Sequence, residues 1–302
     1  MDRMHQTPAT VEKPRRTHIP PRTWAALFLL YAVWGSVFLA NRFALESFPP
    51  FLLNAARFLS GGVVLYILLR VRGEPPMSLK AWAASFLVGA LLFIGGASLL
   101  CVGQQWVASG LAATLIATVP LWTVVFAGIW ERMPTRLEWA GLVTGVAGVA
   151  LMNLEKGVSG NPFGAFVILC AAALWGLGSV LNRRLEVLQR PLGSATEMIA
   201  GGLLLLALGL ATGERITWPP TAEAGLGMFH LAIFASVLGF SLYRFLLQTT
   251  RPAFATSYAL VNPVIAMALG VMFAGESLSP VAAAATAVIL LGVGLVFRGR
   301  KG

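Results

Sequence analysis

Ten apolar runs, each long enough to cross a lipid bilayer, divide the sequence. A transmembrane helix needs about 20 mostly apolar residues to span a hydrocarbon core that is about 30 Å thick. Proline, glycine and charged residues separate the runs, which cover residues 24–45, 51–69, 82–102, 110–130, 137–153, 162–181, 192–212, 225–247, 253–274 and 280–297. Only 11% of the residues are charged, against about 25% in an ordinary soluble domain. The sequence therefore predicts an all-α polytopic membrane protein.

The positions of the basic residues predict how these spans are oriented. Cytoplasmic segments of membrane proteins carry an excess of Lys and Arg. If the N-terminus is cytoplasmic, 18 of the 22 basic residues, Arg244 and Arg251 among them, fall in cytoplasmic segments. The pattern predicts ten transmembrane helices with the N- and C-termini both in the cytoplasm. The basic tail of residues 1–23 is expected to precede an uncleaved first span, because the run after it is too long for a signal peptide.

Two function classes are disfavoured by the composition. The net charge of +10 could suggest nucleic acid, but the basic residues lie between apolar runs and form no stripe with aromatic residues. Cys101 and Cys170 both lie inside apolar runs and match no metal-binding spacing, so they are interpreted as small core residues. We expect no nucleic-acid partner, no metal site and no cofactor.

Recurring residues indicate that the chain is duplicated. The matched positions, about 140 to 143 residues apart, are Trp34 and Trp175, Asn41 and Asn182, Gly61 and Gly201, and Pro120 and Pro263. The two predicted repeats cover residues 24–153 and 162–297, and a short basic tail of residues 298–302 follows. Five spans in each half place the second half in the membrane with inverted topology. Inverted repeats of this kind build secondary transporters, whose sites lie near the bilayer midplane.

Short motifs along nearly the whole chain also carry a family resemblance. They include Trp34-Gly35-Ser36, Arg57-Phe58-Leu59, Ser109-Gly110, Leu137-Glu138-Trp139, Ala255-Thr256-Ser257-Tyr258 and Asn262-Pro263. With these motifs the sequence resembles the drug/metabolite transporter superfamily, in its EamA family, and most closely the YedA-like permeases. The resemblance implies a ten-helix carrier in the bacterial inner membrane. Its partners would be the lipid bilayer and a small-molecule substrate, with amino acids or similar metabolites moved by alternating access, usually outward.

Two single charges inside predicted spans are the strongest candidates for the transport pathway. Arg57 lies about six residues into the second span, with Asn54 one turn before it, and Glu197 holds the equivalent position in the second repeat. A charge inside the membrane is costly and often marks a pathway or a buried pair. The repeat symmetry separates the two charges by roughly 12 Å in height, so a direct Arg57–Glu197 salt bridge is the less favoured alternative. Purely structural roles remain open for both, and Glu197 is the candidate for proton coupling.

Aromatic and amide side chains are the second group of candidates. Trp34 and Trp175 lie too deep in their spans to be interfacial anchors, and they are expected to line a cavity with Tyr31, Asn41, Tyr258 and Asn262. Pro120 and Pro263 are expected to break their helices, because proline removes a backbone donor and frees a carbonyl group. Plain packing and kinks without a further role are the alternatives.

Several other groups favour structural readings. Thr135 with Glu138 predicts a helix-capping box, and Glu131 and Glu276 are read as structural residues at span ends. The Gly141 and Gly145 pair predicts a small-residue contact surface, either inside the chain or at a homodimer seam.

Two other functions were weighed: a drug or nucleoside efflux permease, and an intramembrane serine protease with a Ser179–His230 dyad. The second is disfavoured, because Ser179 lies late in its span and His230 is read as a satisfied helix residue.

Overall fold

A computed structural model of the 302-residue chain describes residues 20–106, 112, 115–130, 133–154, 161–273 and 280–299. These residues form helices joined by short turns, and they contain no β-strand. Glu131 and Glu276, which the sequence analysis assigned to span ends, lie outside the described residues.

The described residues form fourteen α-helices, two π-helical segments and one 3-10 helix, Glu186–Leu188. The α-helices are α1 (Pro21–Gly35), α2 (Val37–Ala44), α3 (Pro50–Val71), α4 (Leu79–Gly89), α5 (Leu99–Gly103), α6 (Val119–Gly128), α7 (Arg136–Leu154), α8 (Pro162–Arg184), α9 (Leu192–Ala211), α10 (Ala222–His230), α11 (Ser241–Thr249), α12 (Pro252–Ala255), α13 (Tyr258–Phe273) and α14 (Pro280–Gly299). The π-helical segments are π1 (Ala90–Ser98), between α4 and α5, and π2 (Leu231–Phe240), between α10 and α11.

Six of the described helices are long and apolar enough to cross a membrane. They cover Pro21–Asn41, Pro50–Val71, Leu79–Gly103, Pro162–Arg184, Leu192–Ala211 and Ala222–Thr249, and their mean hydropathy lies between 1.7 and 2.3. Two shorter apolar helices, Val119–Gly128 and Ala287–Val296, fall within other predicted spans. This is the all-helical, multi-span architecture that the sequence predicts, and these six segments coincide with six of the ten predicted spans.

Glycines allow two pairs of helices to pack with their backbones close together. Helix α3 packs against α9, where a Cβ atom on Gly62 would lie 2.9 Å from the Met198 Cβ. Helix α7 packs against α14, where a Cβ atom on Gly141 would lie 2.6 Å from the Gly292 carbonyl oxygen. Real Cβ atoms do not approach other atoms this closely. Gly141 therefore serves packing inside the chain, the first of the two alternatives in the sequence analysis, and a Cβ atom on Gly145 would similarly lie 2.8 Å from Leu260.

A capping box begins α7, as the sequence predicts. The Thr135 backbone N–H donates to the Glu138 Oε2 atom at 2.8 Å, and the Glu138 N–H donates to the Thr135 Oγ1 atom at 3.2 Å. The same carboxylate accepts from Arg251 at 2.9 Å, which ties the start of α7 to the residue before α12. The predicted box is confirmed, and it also anchors a second segment of the chain.

Candidate functional site

A cavity of about 90 Å³ lies between the two halves of the sequence. Six of the predicted pathway residues line it: Trp34, Asn41, Arg57, Trp175, Tyr258 and Asn262. Apolar side chains such as Phe38, Leu100 and Phe240 complete the wall. One water molecule needs about 10–15 Å³ of such space. The cavity therefore accommodates several water molecules or a small solute.

Among the described residues that line it, the cavity has one charged group and two unsatisfied polar atoms. Arg57 is the one charged residue among the described residues that line it, and its side chain is 6% exposed. The Arg57 Nε atom donates to the Ser236 Oγ atom at 3.1 Å. Asn41 and Asn262 are buried, and neither Oδ1 atom has a hydrogen-bond partner in the structure. Because buried polar atoms are nearly always paired, these amides are available to a bound solute.

Four aromatic rings cluster around Trp34, and three of them line the cavity. The Trp34 ring centroid lies 4.5 Å from that of Tyr258, 5.0 Å from that of Tyr243 and 5.6 Å from that of Trp175. The pairs of Trp34 with Tyr258 and with Trp175 are edge-to-face, which is a favourable arrangement of aromatic quadrupoles. We call these four residues the aromatic layer; three of them, Trp34, Trp175 and Tyr258, line the cavity, and Tyr243 packs against Trp34.

Two glycines make room for the indole rings of this layer. A Cβ atom on Gly239 would collide with the Trp34 Nε1 atom, and a Cβ atom on Gly96 would collide with the Trp175 ring. Gly96 lies in π1 and Gly239 lies in π2. Each tryptophan therefore rests against the π-helical segment of the other half of the sequence. The Trp34 Nε1 atom also donates to the Ala235 carbonyl at 3.0 Å, again in π2.

Helix α8 runs from the cavity, at Trp175, to a group of buried polar side chains that includes Ser179, Asn182 and Glu197. Ser179, one turn after Trp175, shares a 2.5 Å hydrogen bond with the Tyr243 hydroxyl. Asn182 follows, and its Nδ2 atom donates to the Glu197 Oε2 atom at 2.6 Å. At 1.5 Å per residue, Asn182 lies about 10 Å along the helix beyond Trp175. Glu197 therefore contacts α8 well away from the Trp175 position that lines the cavity.

Glu197 forms a buried ion pair that the sequence analysis did not predict. Its Oε1 atom lies 2.7 Å from the Arg244 Nη1 atom, and the two side chains are 0% and 5% exposed. Arg244, which charge counting assigns to a cytoplasmic segment, lies within the candidate span Ala222–Thr249, and its side chain meets Glu197 in the protein interior. Arg57 and Glu197 do not pair with each other, which agrees with the favoured interpretation. However, Glu197 is not among the residues that line the cavity.

Two other predicted pathway residues also lie away from the cavity lining. The Tyr31 hydroxyl shares a 2.7 Å hydrogen bond with Ser257 and joins α1 to the start of α13. The Asn54 Nδ2 atom donates to the Pro50 carbonyl at 2.9 Å and contacts the Cys101 sulfur at 3.6 Å. Both side chains therefore support the helices around the cavity. Cys101 and Cys170 are free thiols.

The two prolines occupy different helical positions. Pro120 is the second residue of α6, which begins at Val119 after a turn. Pro263 lies inside α13, and the interruption of this span lies earlier, between α12 and α13. There the Thr256 hydroxyl donates to the Pro252 carbonyl at 2.8 Å. Pro120 thus marks a helix start, whereas Pro263 removes one donor from a helix that continues past it.

Ser179 and His230 do not form the dyad that a serine protease would need. The Ser179 hydroxyl is hydrogen-bonded to the Trp175 carbonyl and to Tyr243. The His230 Nε2 atom is hydrogen-bonded to the Ser36 hydroxyl at 2.9 Å. Each of the two groups has other partners, so the structure gives the protease interpretation no support.

Three residues of this region were missed by the sequence analysis: Ser236, Tyr243 and Arg244. All three lie in one apolar run, and their partners, Arg57, Ser179 and Glu197, come from other helices. Tyr243 is fully buried, which is unusual for a tyrosine unless its hydroxyl is paired. The adjacent Tyr243-Arg244 pair near the end of an apolar run was the available signal.

Comparisons with known proteins agree with a membrane carrier. The model of the EamA-like transporter family matches two segments of the chain, residues 22–154 and 162–298. The sequence is 37% identical over 278 residues to the Uncharacterized inner membrane transporter YedA of Escherichia coli (strain K12), covering 92% of this chain and 91% of that protein. It is 27% identical over 276 residues to the Probable terminal-alkyne amino-acid exporter of Streptantibioticus cattleyicolor, covering 90% of this chain and 92% of that protein.

A solved structure shows the same fold. A crystal structure of a protein that is 21% identical superposes with a TM-score of 0.76, covering 91% of this chain and 96% of that chain. At this identity the likeness concerns the fold alone. The sequence matches decide the family: this chain is a multi-pass inner-membrane protein and belongs to the EamA-like transporter family.

Proposed function

We propose that the chain is a secondary transporter that moves amino acids or related small metabolites outward across the inner membrane. One observation carries the substrate class: Arg57 faces the cavity without an acidic partner among the described residues. A charge at such depth is costly, and an anionic group on a ligand would offset that cost. The rings of Trp34, Trp175 and Tyr258 offer an apolar wall beside it. A small amphipathic zwitterion or anion fits this combination.

The name of one relative supports the same class, since that protein is described as a probable exporter of an amino acid. A cationic drug has less support, because the described lining offers a positive charge and no carboxylate. The test is transport by purified protein in liposomes with a panel of labelled amino acids, where saturable uptake is expected. In cells, overexpression should protect against toxic amino-acid analogues and leave dye accumulation unchanged. Expulsion of dyes without protection against analogues would favour drug efflux instead.

The proposed architecture has ten transmembrane helices in two inverted repeats, with both termini in the cytoplasm. The two segments matched by the family model support two repeats. The reciprocal contacts also support them, because Gly239 makes room for Trp34 as Gly96 does for Trp175. Further support comes from π1 and π2, which occupy comparable places in the third and eighth predicted spans.

Topology can be tested with reporter fusions. Fusions after Gly73, Gly160 and Gly302 are expected to report cytoplasm, periplasm and cytoplasm, because an odd number of spans in each repeat inverts the second half. Paired reporters that are active on opposite sides of the membrane provide the control for expression at each site. A periplasmic C-terminus would contradict the ten-span arrangement.

Alternating access is the proposed mechanism. The buried contacts near the aromatic layer are the ones that would have to break as the carrier changes state. The Ser179–Tyr243 bond and the Glu197–Arg244 pair lie outside the cavity lining, and we assign them to the closed side of the pathway. Opening that side requires these contacts to separate. Tyr31 and Asn54 would hold the surrounding helices, and Pro120 and Pro263 would permit local changes in α6 and α13.

Proton coupling through Glu197 is part of the proposal and has its own test. Because Arg244 pairs with Glu197, a single Glu197→Gln change would leave a buried charge, so the informative variant is Glu197→Gln with Arg244→Gln. Glutamine retains hydrogen bonding but cannot titrate. We expect the double variant to fold and to lose the pH dependence of transport in liposomes. An unchanged pH profile would make Glu197 a structural residue.

A homodimer through Gly141 and Gly145 is not part of the proposed function, because α14 would have to leave Gly141.

A further inference from the structure

The Arg57 guanidinium is held along one edge and free along another. Its Nε atom donates to the Ser236 Oγ atom at 3.1 Å, and its central carbon lies 4.6 Å from the Phe58 ring centroid. In the described part of the chain, no hydrogen bond or ion pair involves its two terminal amino groups. A guanidinium group can bind a carboxylate through the Nε edge or through the two terminal nitrogens. Ser236 occupies the first edge, so the second is the available one.

Ser236 is itself fixed in place. It is fully buried in π2, and its hydroxyl donates to the Leu231 carbonyl at 2.9 Å. With the hydroxyl hydrogen used in this way, the oxygen presents a lone pair to the Arg57 Nε–H group. Gly61, one turn after Arg57, allows α3 to approach π2, because a Cβ atom there would lie 3.0 Å from the Ala232 carbonyl oxygen and 3.2 Å from the Ser236 Cβ. The backbone and the hydroxyl together therefore determine the orientation of the guanidinium.

We propose that Ser236 is a positioning residue that directs the two terminal amino groups of Arg57 into the cavity as a two-pronged receptor for a substrate carboxylate. The inference rests on the proposed function and narrows it, because the substrate must carry a carboxylate and not merely a negative or polar group. Two parallel N–H···O bonds match the planar geometry of a carboxylate. A lysine at position 57 would supply a charge without this fork. The Asn41 and Asn262 Oδ1 atoms, which have no hydrogen-bond partner, belong to residues that line the same cavity and can accept hydrogen bonds from the rest of the molecule.

The experiment uses liposomes and labelled leucine, or the best-transported member of the amino-acid panel if leucine is not moved. Competitors are the free acid, its carboxamide, and the deaminated acid, for leucine leucinamide and 4-methylpentanoate. The variants are Ser236→Ala and Arg57→Lys. Ser60→Ala is the matched control, because Ser60 is one turn after Arg57 on the same helix but exposed, with its hydroxyl bonded to the Ala56 carbonyl. Thermal unfolding of each variant measures folding separately.

The acid and the deaminated acid should compete with the labelled substrate, and the carboxamide should compete at least tenfold more weakly. Ser236→Ala should raise KM roughly tenfold with little change in maximal rate, and Arg57→Lys should reduce the acid-to-amide preference to near unity. Ser60→Ala should behave like the wild type. Equal competition by acid and carboxamide would overturn the carboxylate fork while leaving transport intact. A Ser236→Ala variant that loses thermal stability but keeps both KM and the acid preference would assign Ser236 a structural role only. If the wild type moves no amino acid at all, the proposed function fails instead.

Discussion

Replacing Glu197 with leucine is expected to destabilise the protein by about 3–5 kcal/mol, because Arg244 would remain buried without a counter-charge. The Arg244 side chain is 5% exposed, and its ion-pair partner is Glu197. Arg244→Leu should have a similar effect, since it strands the Glu197 carboxylate. The double leucine variant should recover most of the loss, because no charge then remains to be desolvated. Thermal unfolding in detergent at fixed pH measures all three.

A surface ion pair in the same chain provides the matched control. Glu74 and Arg190 approach to 3.5 Å, with side chains 29% and 37% exposed. Exposed pairs contribute about 0–1 kcal/mol, so Glu74→Leu should change the melting temperature little. If Glu197→Leu costs no more than Glu74→Leu, the buried pair does not stabilise the fold and its proposed place in the closed side of the pathway loses its energetic basis.

The substitution Gly292→Val is expected to disrupt the packing of α14 on α7. A Cβ atom at this position would lie 2.5 Å from the Gly145 backbone nitrogen and 2.7 Å from the Gly141 carbonyl oxygen. Because the obstacles are backbone atoms in regular helices, they cannot rotate away, and the helices must separate. Overpacking typically costs about 1–3 kcal/mol and sometimes more. The yield of folded protein and its melting temperature should both fall.

Gly294 supplies the comparison, because it lies two residues later in the same helix and a Cβ atom there would meet nothing within 4 Å. Gly294→Val should leave yield and melting temperature near those of the wild type. Equal losses at both positions would mean that helix propensity, and not close approach, controls this segment. Equal tolerance at both would mean that α7 and α14 do not pack as described.

The sequence predicted the membrane class and much of the cavity lining for identifiable physical reasons. Apolar length separates membrane helices from soluble ones, and a tryptophan such as Trp34 or a lone arginine such as Arg57 is conspicuous inside an apolar run. The repeat offset then made Trp175 a candidate through its match with Trp34. These signals are local or periodic, so they can be recognised in the sequence without knowledge of how the helices pack.

The partners of the buried polar groups could not be predicted in the same way. Arg244 lies near the end of an apolar run, where charge counting assigns it to the cytoplasm, and only the approach of α9 turns it inward to Glu197. Ser236 is one hydroxyl in an apolar run, and its role depends on Arg57, which is 179 positions away in sequence. No periodic pattern encodes such pairings. The position of the helix break in the ninth predicted span could not be predicted either. The sequence analysis assigned the break to Pro263, whereas the structure has it at Thr256 and Ser257.

The helix that contains π2 takes part in two separate contacts, the Ser236–Arg57 hydrogen bond and the Tyr243–Ser179 hydrogen bond. The i to i+5 bonding of π2 accommodates one residue more per turn than the α pattern does, and the Ser236 hydroxyl bonds back to Leu231 across the same five-residue interval. If π2 changed to the α pattern, every later residue of the helix would move by one position along it and rotate by about 100° about the helix axis. That rotation would turn Tyr243 away from Ser179. If Ser236 rotated as well, its hydroxyl would leave the Arg57 Nε atom. The register of this single helix would thus link Arg57, the proposed carboxylate receptor, to the Ser179–Tyr243 contact.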